Sequence, residues 1–186
     1  MGVRAGCWLL ALTALLAACS SEEPPGALPP VGTAVNSPSA GAEASASATA
    51  TPDEAKPATA PAASAFARFY LKEVNEAYAT QQVAFLSRLS SEECNACRNI
   101  VSDINRLKES RRSVAGLRFR VGPTAAAPPD ASGQVVVDVR YDSDGYREVD
   151  GAGAVFRDNA AREKQDLQLA LVRSGDSWLV RGLRLV

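Results

Sequence analysis

Two cysteines stand in a C-x-x-C frame within "SSEECNACRN" (residues 90–99), and another, Cys19, closes an apolar run near the amino end. A C-x-x-C pair can hold a disulfide, a reactive thiolate or half of a zinc site. Zinc needs four ligands, and the chain has no histidine and no second closely spaced cysteine pair to complete them. Thiol–disulfide exchange at Cys94 and Cys97 needs a stabilised thiolate, which a helix N-terminus favours. Glu92 and Glu93 oppose that charge, and the motif follows a polar loop rather than a strand of a βαβ unit. A Cys94–Cys97 staple is therefore the expectation, worth on the order of 2 kcal/mol by loop closure, with redox exchange as its alternative.

Acid–base chemistry must also do without histidine, which removes the usual serine and cysteine triads. Carboxylates and tyrosines remain. Tyr70, Tyr78, Asp138 and Asp166 are the residues that isomerase- or hydrolase-like catalysis would draw on. Asp138 alternates with valines and is expected to face solvent, and the tyrosines read as core or pocket wall, so no catalytic residue is assigned. Asp142 and Asp144 before Gly145 suggest calcium, but the further ligands and closing glutamate of a calcium loop are missing, and Asp-Gly reads as a turn. Arg106, Lys108, Arg111, Arg112, Arg118 and Arg120 crowd one region. They could meet anionic lipid or wall polymer, but a solvated face with cations at a helix C-terminus is the simpler reading.

The elements that must position these groups follow from periodicity. "SAFARFYLKEVNEAYA" (64–79) places Phe66, Phe69, Tyr70, Val74, Ala77 and Tyr78 at helical spacing, with Ser64 available as N-cap. Val83, Leu86 and Leu89 share one face of a shorter helix. A third begins near the cysteine pair and turns Cys97, Ile100, Val101, Ile104 and Leu107 inward, with Ser90 and Glu93 spaced as a capping box. The period then changes to two in "LRFRV" and "QVVVDVRY", and "DLQLALVRSGDSWLVRGLRLV" reads as two strands joined at Ser174-Gly175-Asp176. The stretch from Tyr141 to residue 160, rich in glycine and charge, is expected as a flap over the open end of the sheet. The fold class is α+β, with three helices packed on one face of an antiparallel sheet of about four strands.

The first 63 residues belong to something else. "MGVRAGCWLLALTALLAACS" has one arginine, about a dozen apolar residues and small residues before Cys19, the layout of an export signal. No later run has the length a transmembrane helix needs. Residues 20–63 are Ala, Pro, Ser, Thr and Gly with few large apolar side chains, a composition unable to offset its ordering entropy. They are expected to form a disordered tether with a reach of about 35–40 Å, open to O-glycosylation. One domain, 64–186, remains. It carries 18 Lys+Arg against 16 Asp+Glu, which gives no reason to expect a nucleic-acid partner.

Leu16-Ala17-Ala18-Cys19 resembles the lipobox of bacterial lipoproteins, which implies diacylglycerol on Cys19 and a protein held on the outer face of the cell membrane. Three N-terminal helices, a curved sheet and the hairpin ending "VRSGDSWLVRGLRL" resemble the cone-shaped fold of nuclear transport factor 2, ketosteroid isomerase and SnoaL-like proteins. "FARFYLKEVNEAYATQQVAFLSRLSSEECNACRNIV" behind a lipobox and tether is similar to a family of actinobacterial lipoproteins of unknown function, with one departure: Gln81-Gln82 stands where an acidic residue is frequent. A lipobox and tether on a pocket-forming fold without catalytic groups lead to the expectation of a non-catalytic domain whose cavity wall would include Phe69, Tyr70, Tyr78, Tyr141 and Trp178. Its implied partners are the membrane through Cys19 and a small apolar ligand or a cell-envelope protein. No cofactor or metal is expected.

Overall fold

The computed structural model describes residues 50–186, so Cys19, the export signal and the tether as far as residue 49 lie outside the described residues. Helix α1 spans Ala60–Thr80. Thr59 caps it, its hydroxyl accepting from the Ala62 N–H at 3.3 Å, and Pro61 in the first turn costs no needed donor. Gln81, in the left-handed region at φ 56°, ends the helix by donating its N–H to Ala77 O. The start lies four residues before Ser64. A single 3-10 turn, Asp53–Ala55, precedes it, and Ala55 is completely buried. Residues 53–63, which composition placed in the expected tether, are thus part of the fold. Their small side chains gave no apolar signal, yet Ala55, Ala62 and Ala63 fit into the core because they are small.

Helix α2 spans Ala84–Arg88 and α3 spans Asn95–Glu109. The Cys94–Cys97 disulfide is present. Cys94 is itself the N-cap of α3, its sulfur accepting from the Cys97 N–H at 3.2 Å. The Ser90–Glu93 capping box does not form. Ser90 and Ser91 instead run beside the last strand, where Ser91 N–H bonds Val180 O and Val180 N–H bonds Leu89 O, both at 2.9 Å. Glu93 reaches Arg181 at 2.6 Å. The staple thus fixes the helix start where the chain leaves the sheet edge. Replacing both cysteines by serine, a good N-cap, should retain the cap but lose the loop closure. Urea denaturation of Cys94→Ser/Cys97→Ser is expected to show a loss of about 2 kcal/mol. An unchanged midpoint would mean that the bond constrains nothing in the unfolded chain.

Seven strands follow, more than the four expected: β1 (Arg112–Ala115), β2 (Phe119–Ala126), β3 (Val135–Ser143), β4 (Tyr146–Asp150), β5 (Val155–Asn159), β6 (Arg162–Ser174) and β7 (Ser177–Leu185). They form an antiparallel four-stranded sheet, β2-β3-β6-β7, and a three-stranded one, β1-β4-β5. The two share one ladder. Ser143 pairs with Arg162 and, across a bend, Tyr146 pairs with Asn159, so β3–β4 and β5–β6 are the two arms of one long, sharply bent hairpin. The expected flap is therefore paired strand.

Glycine makes the bend. A Cβ on Gly145 would lie 3.1 Å from Asn159 O and 3.2 Å from Ala161 N. Gly116, at φ +92°, would place one 3.0 Å from Gly145 O. Asp150 closes the hairpin tip by accepting the Ala152 and Ala154 N–H groups, each at 2.9 Å, and Asp142 accepts the Lys164 N–H at 2.8 Å. Those aspartates hold turns and strand ends.

The core lies between the helices and the four-stranded sheet. Phe66, Phe69, Tyr70 and Val74 of α1 and Ile104 of α3 pack with Leu86, Val135, Val137, Val139, Leu167, Leu169, Leu171, Trp178 and Val180. Each such side chain contributes roughly 1.5–3 kcal/mol by leaving water. Among the described residues no helix is long and apolar enough to cross a membrane.

Candidate functional site

Beyond the core, where the three-stranded sheet folds over, the ends of α1 and α3 and the bent hairpin surround a cavity of about 330 Å³. Register explains its walls. Val114, Glu148 and Arg157 are successive cross-strand neighbours on β1, β4 and β5, so all three face it. Tyr146 and Asn159 form the next rung. Leu107, Leu117, Phe119 and Tyr141 supply an apolar side, with Phe119 and Tyr141 edge to face at 5.7 Å.

Tyr78, near the end of α1, donates to Asp103 of α3 at 3.1 Å. The other Asp103 oxygen takes two guanidinium hydrogen bonds from Arg106, the shorter 2.7 Å. Burial first, then the neighbouring carboxylate, push the Tyr78 phenol far above its ordinary range, so it stays a neutral donor. Glu148 is only 4% exposed and receives Arg112 at 3.1 Å and Arg106 at 3.3 Å. Burial alone would raise its pKa, but these hydrogen bonds outweigh it and hold Glu148 below the usual carboxylate range. Arg112 also stacks on Phe156, 3.7 Å from the ring centre.

The five sequence-predicted wall residues divide. Tyr78 and Tyr141 line the cavity. Phe69, Tyr70 and Trp178 do not; they are buried in the core at 6%, 0% and 2% exposure. The Tyr70 hydroxyl lies 3.5 Å from Ser90 Oγ, and the Trp178 indole N–H donates to Pro57 O at 3.0 Å. Asp138 and Asp166 lie outside the cavity, in exposed bonds to Gln168 and Arg140. Sequence reasoning missed Asp103, Glu148, Asn159, Arg157 and Arg162. Of the basic cluster, Arg106, Arg112 and Arg120 are engaged in ion pairs. Beside its apolar side the cavity lining carries the charged and amide groups of Asp103, Arg106, Glu148, Arg157, Asn159 and Arg162.

Cys94 and Cys97 are each 1% exposed, which blocks attack on either sulfur in the folded state. Cys97 also borders a shallow groove of about 580 Å³ along α3, where Arg98, Val101 and Asn105 are surface residues. Ser91 also lines this groove, and its buried Oγ has no hydrogen-bond partner among the described residues. Among the described residues no cluster of metal-ligating side chains occurs.

These features define an α+β domain in which three helices close a bent antiparallel sheet over a polar cavity. The chain belongs to DUF6318, a family of unknown function, which matches residues 46–184. No curated protein matches it. Among solved structures, the intermembrane space region of the chloroplast protein ARC6 is similar in fold, with a TM-score of 0.53 and 10% identity over 69% of this chain and 96% of that one. Aln2 from a Streptomyces species aligns with a TM-score of 0.45 and 9% identity over 69% of this chain and 92% of that one.

Proposed function

We propose that the chain is an exported lipoprotein, anchored to the outer face of the cell membrane through Cys19, whose folded domain binds a small ligand in the cavity. The lipobox-like Leu16-Ala17-Ala18-Cys19 supports the anchor. The observation that carries the ligand reading is a small-molecule-sized cavity with polar groups converging from both helices and the bent hairpin. On this reading the Arg106–Asp103–Tyr78 and Arg106/Arg112–Glu148 pairs hold the wall rigid.

Two measurements test the reading. Cys19→Ala should abolish acyl incorporation and release the chain from the membrane fraction. Native mass spectrometry of chain taken from membranes should reveal a small-molecule adduct, lost when Val114→Trp fills the cavity. Persistently adduct-free wild-type spectra would end the ligand reading, and unchanged membrane retention of Cys19→Ala would end the anchor.

A catalytic reading has one observation in its favour, the Tyr78–Asp103 hydrogen bond inside the cavity. It would make Tyr78 the acid and Asp103 the base of an isomerase- or hydrolase-like reaction. Both groups are already committed, the phenol to Asp103 and the carboxylate to Arg106. Binding without turnover is therefore the stronger reading, and conversion of the adduct by wild type but not by Tyr78→Phe would reverse that order.

A further inference from the structure

We propose that the cavity's ligand carries an oxyanion, a carboxylate or phosphate, on a compact aromatic or aliphatic body. This rests on the cavity being the ligand site. Asn159 Nδ2 is buried and has no hydrogen-bond acceptor among the described residues, and a buried donor is costly to leave unsatisfied. It sits on the cavity wall beside the bend, opposite Tyr146.

Arg157, two residues earlier on the same face, is the cross-strand neighbour of Glu148. Arg106 and Arg112 both reach one oxygen of Glu148, Oε1, and Arg157 makes no ion pair among the described residues. Arg162, across the ladder from Ser143, also lines the cavity and is likewise without an ion pair among them. Both acids of the lining, Asp103 and Glu148, are thus matched by Arg106 and Arg112. Two guanidinium forks and one amide donor remain unspent around one space. Guanidinium forks match carboxylate and phosphate oxygens in geometry as well as charge. Leu117, Phe119 and Tyr141 offer an apolar surface for the rest of the molecule, and about 330 Å³ admits a compact body.

The test titrates the full-length chain in detergent micelles with phenyl phosphate and benzoate, and with benzyl alcohol as neutral counterpart. The readouts are calorimetry and the NMR signal of the Asn159 side-chain amide. At least one anion is expected to shift that amide and bind about tenfold more tightly than benzyl alcohol. Arg157→Gln and Arg162→Gln should each weaken anion binding by about tenfold, while Arg184→Gln, on β7 and outside the cavity lining, should leave it unchanged. Both cavity arginines are exposed, so these variants retain the fold.

Phosphatidylglycerol and phosphatidylcholine vesicles form a second arm. An amide shift with phosphatidylglycerol alone would assign the oxyanion to a lipid headgroup, and a shift with the soluble anions alone to a free small molecule. Benzyl alcohol binding as well as benzoate, with no effect of either arginine change, would overturn the oxyanion but leave the ligand site standing. Failure of every probe, charged or neutral, would overturn both.

Discussion

Trp178→Ala is expected to cost about 3–5 kcal/mol, the range for removing a large buried aromatic side chain, a large share of the roughly 5–15 kcal/mol that stabilises a typical domain. Two effects combine. The indole is 2% exposed, one rung from the β6–β7 turn, so its removal leaves a cavity. Its N–H also holds Pro57 O at 3.0 Å, and Arg173 lies over the ring while donating to Lys56 O at 2.5 Å. Losing the ring therefore detaches residues 53–57 as well. Urea denaturation followed by circular dichroism measures the first effect, and limited proteolysis near Lys56 the second. Trp178→Phe separates them: most of the packing should survive, with about 1 kcal/mol lost and faster cleavage at Lys56. A Trp178→Ala protein within about 1 kcal/mol of wild type would show that the amino-terminal segment is not held by this contact.

Gly116→Ala should cost about 2–4 kcal/mol, combining a backbone at φ +92° with a Cβ 3.0 Å from Gly145 O. Gly133→Ala supplies the comparison, because Gly133 also has positive φ, +78°, but nothing within 4 Å of the added atom. Only the backbone penalty applies there, on the order of 1 kcal/mol. The difference between the two midpoints measures how tightly β1 closes on the bend. Because Val114 and Leu117 flank Gly116 and line the cavity, Gly116→Ala should also weaken any cavity ligand. Equal costs at the two glycines would mean that the bend can open to accept a methyl group.

The helices and the final hairpin were legible because their apolar residues repeat at 3.6 or 2. The same logic hid β4 and β5. In a strand facing a polar cavity, alternation places Tyr146, Glu148, Arg157 and Asn159 inward, and the pattern reads as charged loop. β1 is only four residues long, too short for periodicity to register. Site residues were hard to separate from core residues for a related reason. Tyr70 and Tyr78 share the inward stripe of α1 two turns apart, yet one is sealed in the core and the other opens on the cavity. Nothing local in the sequence marks where the core ends. Asp103 did leave a signal, a carboxylate beside Ile104 on the half-buried face of α3, with Arg106 three residues on.

Helix α1 sets a lever arm. Its first turn adjoins the residues pinned by Trp178, and its last turn carries Tyr78 into the cavity. With 21 residues at about 1.5 Å each, these points lie roughly 30 Å apart. If the chain is tethered through its amino end as proposed, the cavity occupies the pole remote from the attachment and opens toward whatever diffuses in the surrounding medium. A pull along the tether would load the Trp178–Pro57 contact and the start of α1 first.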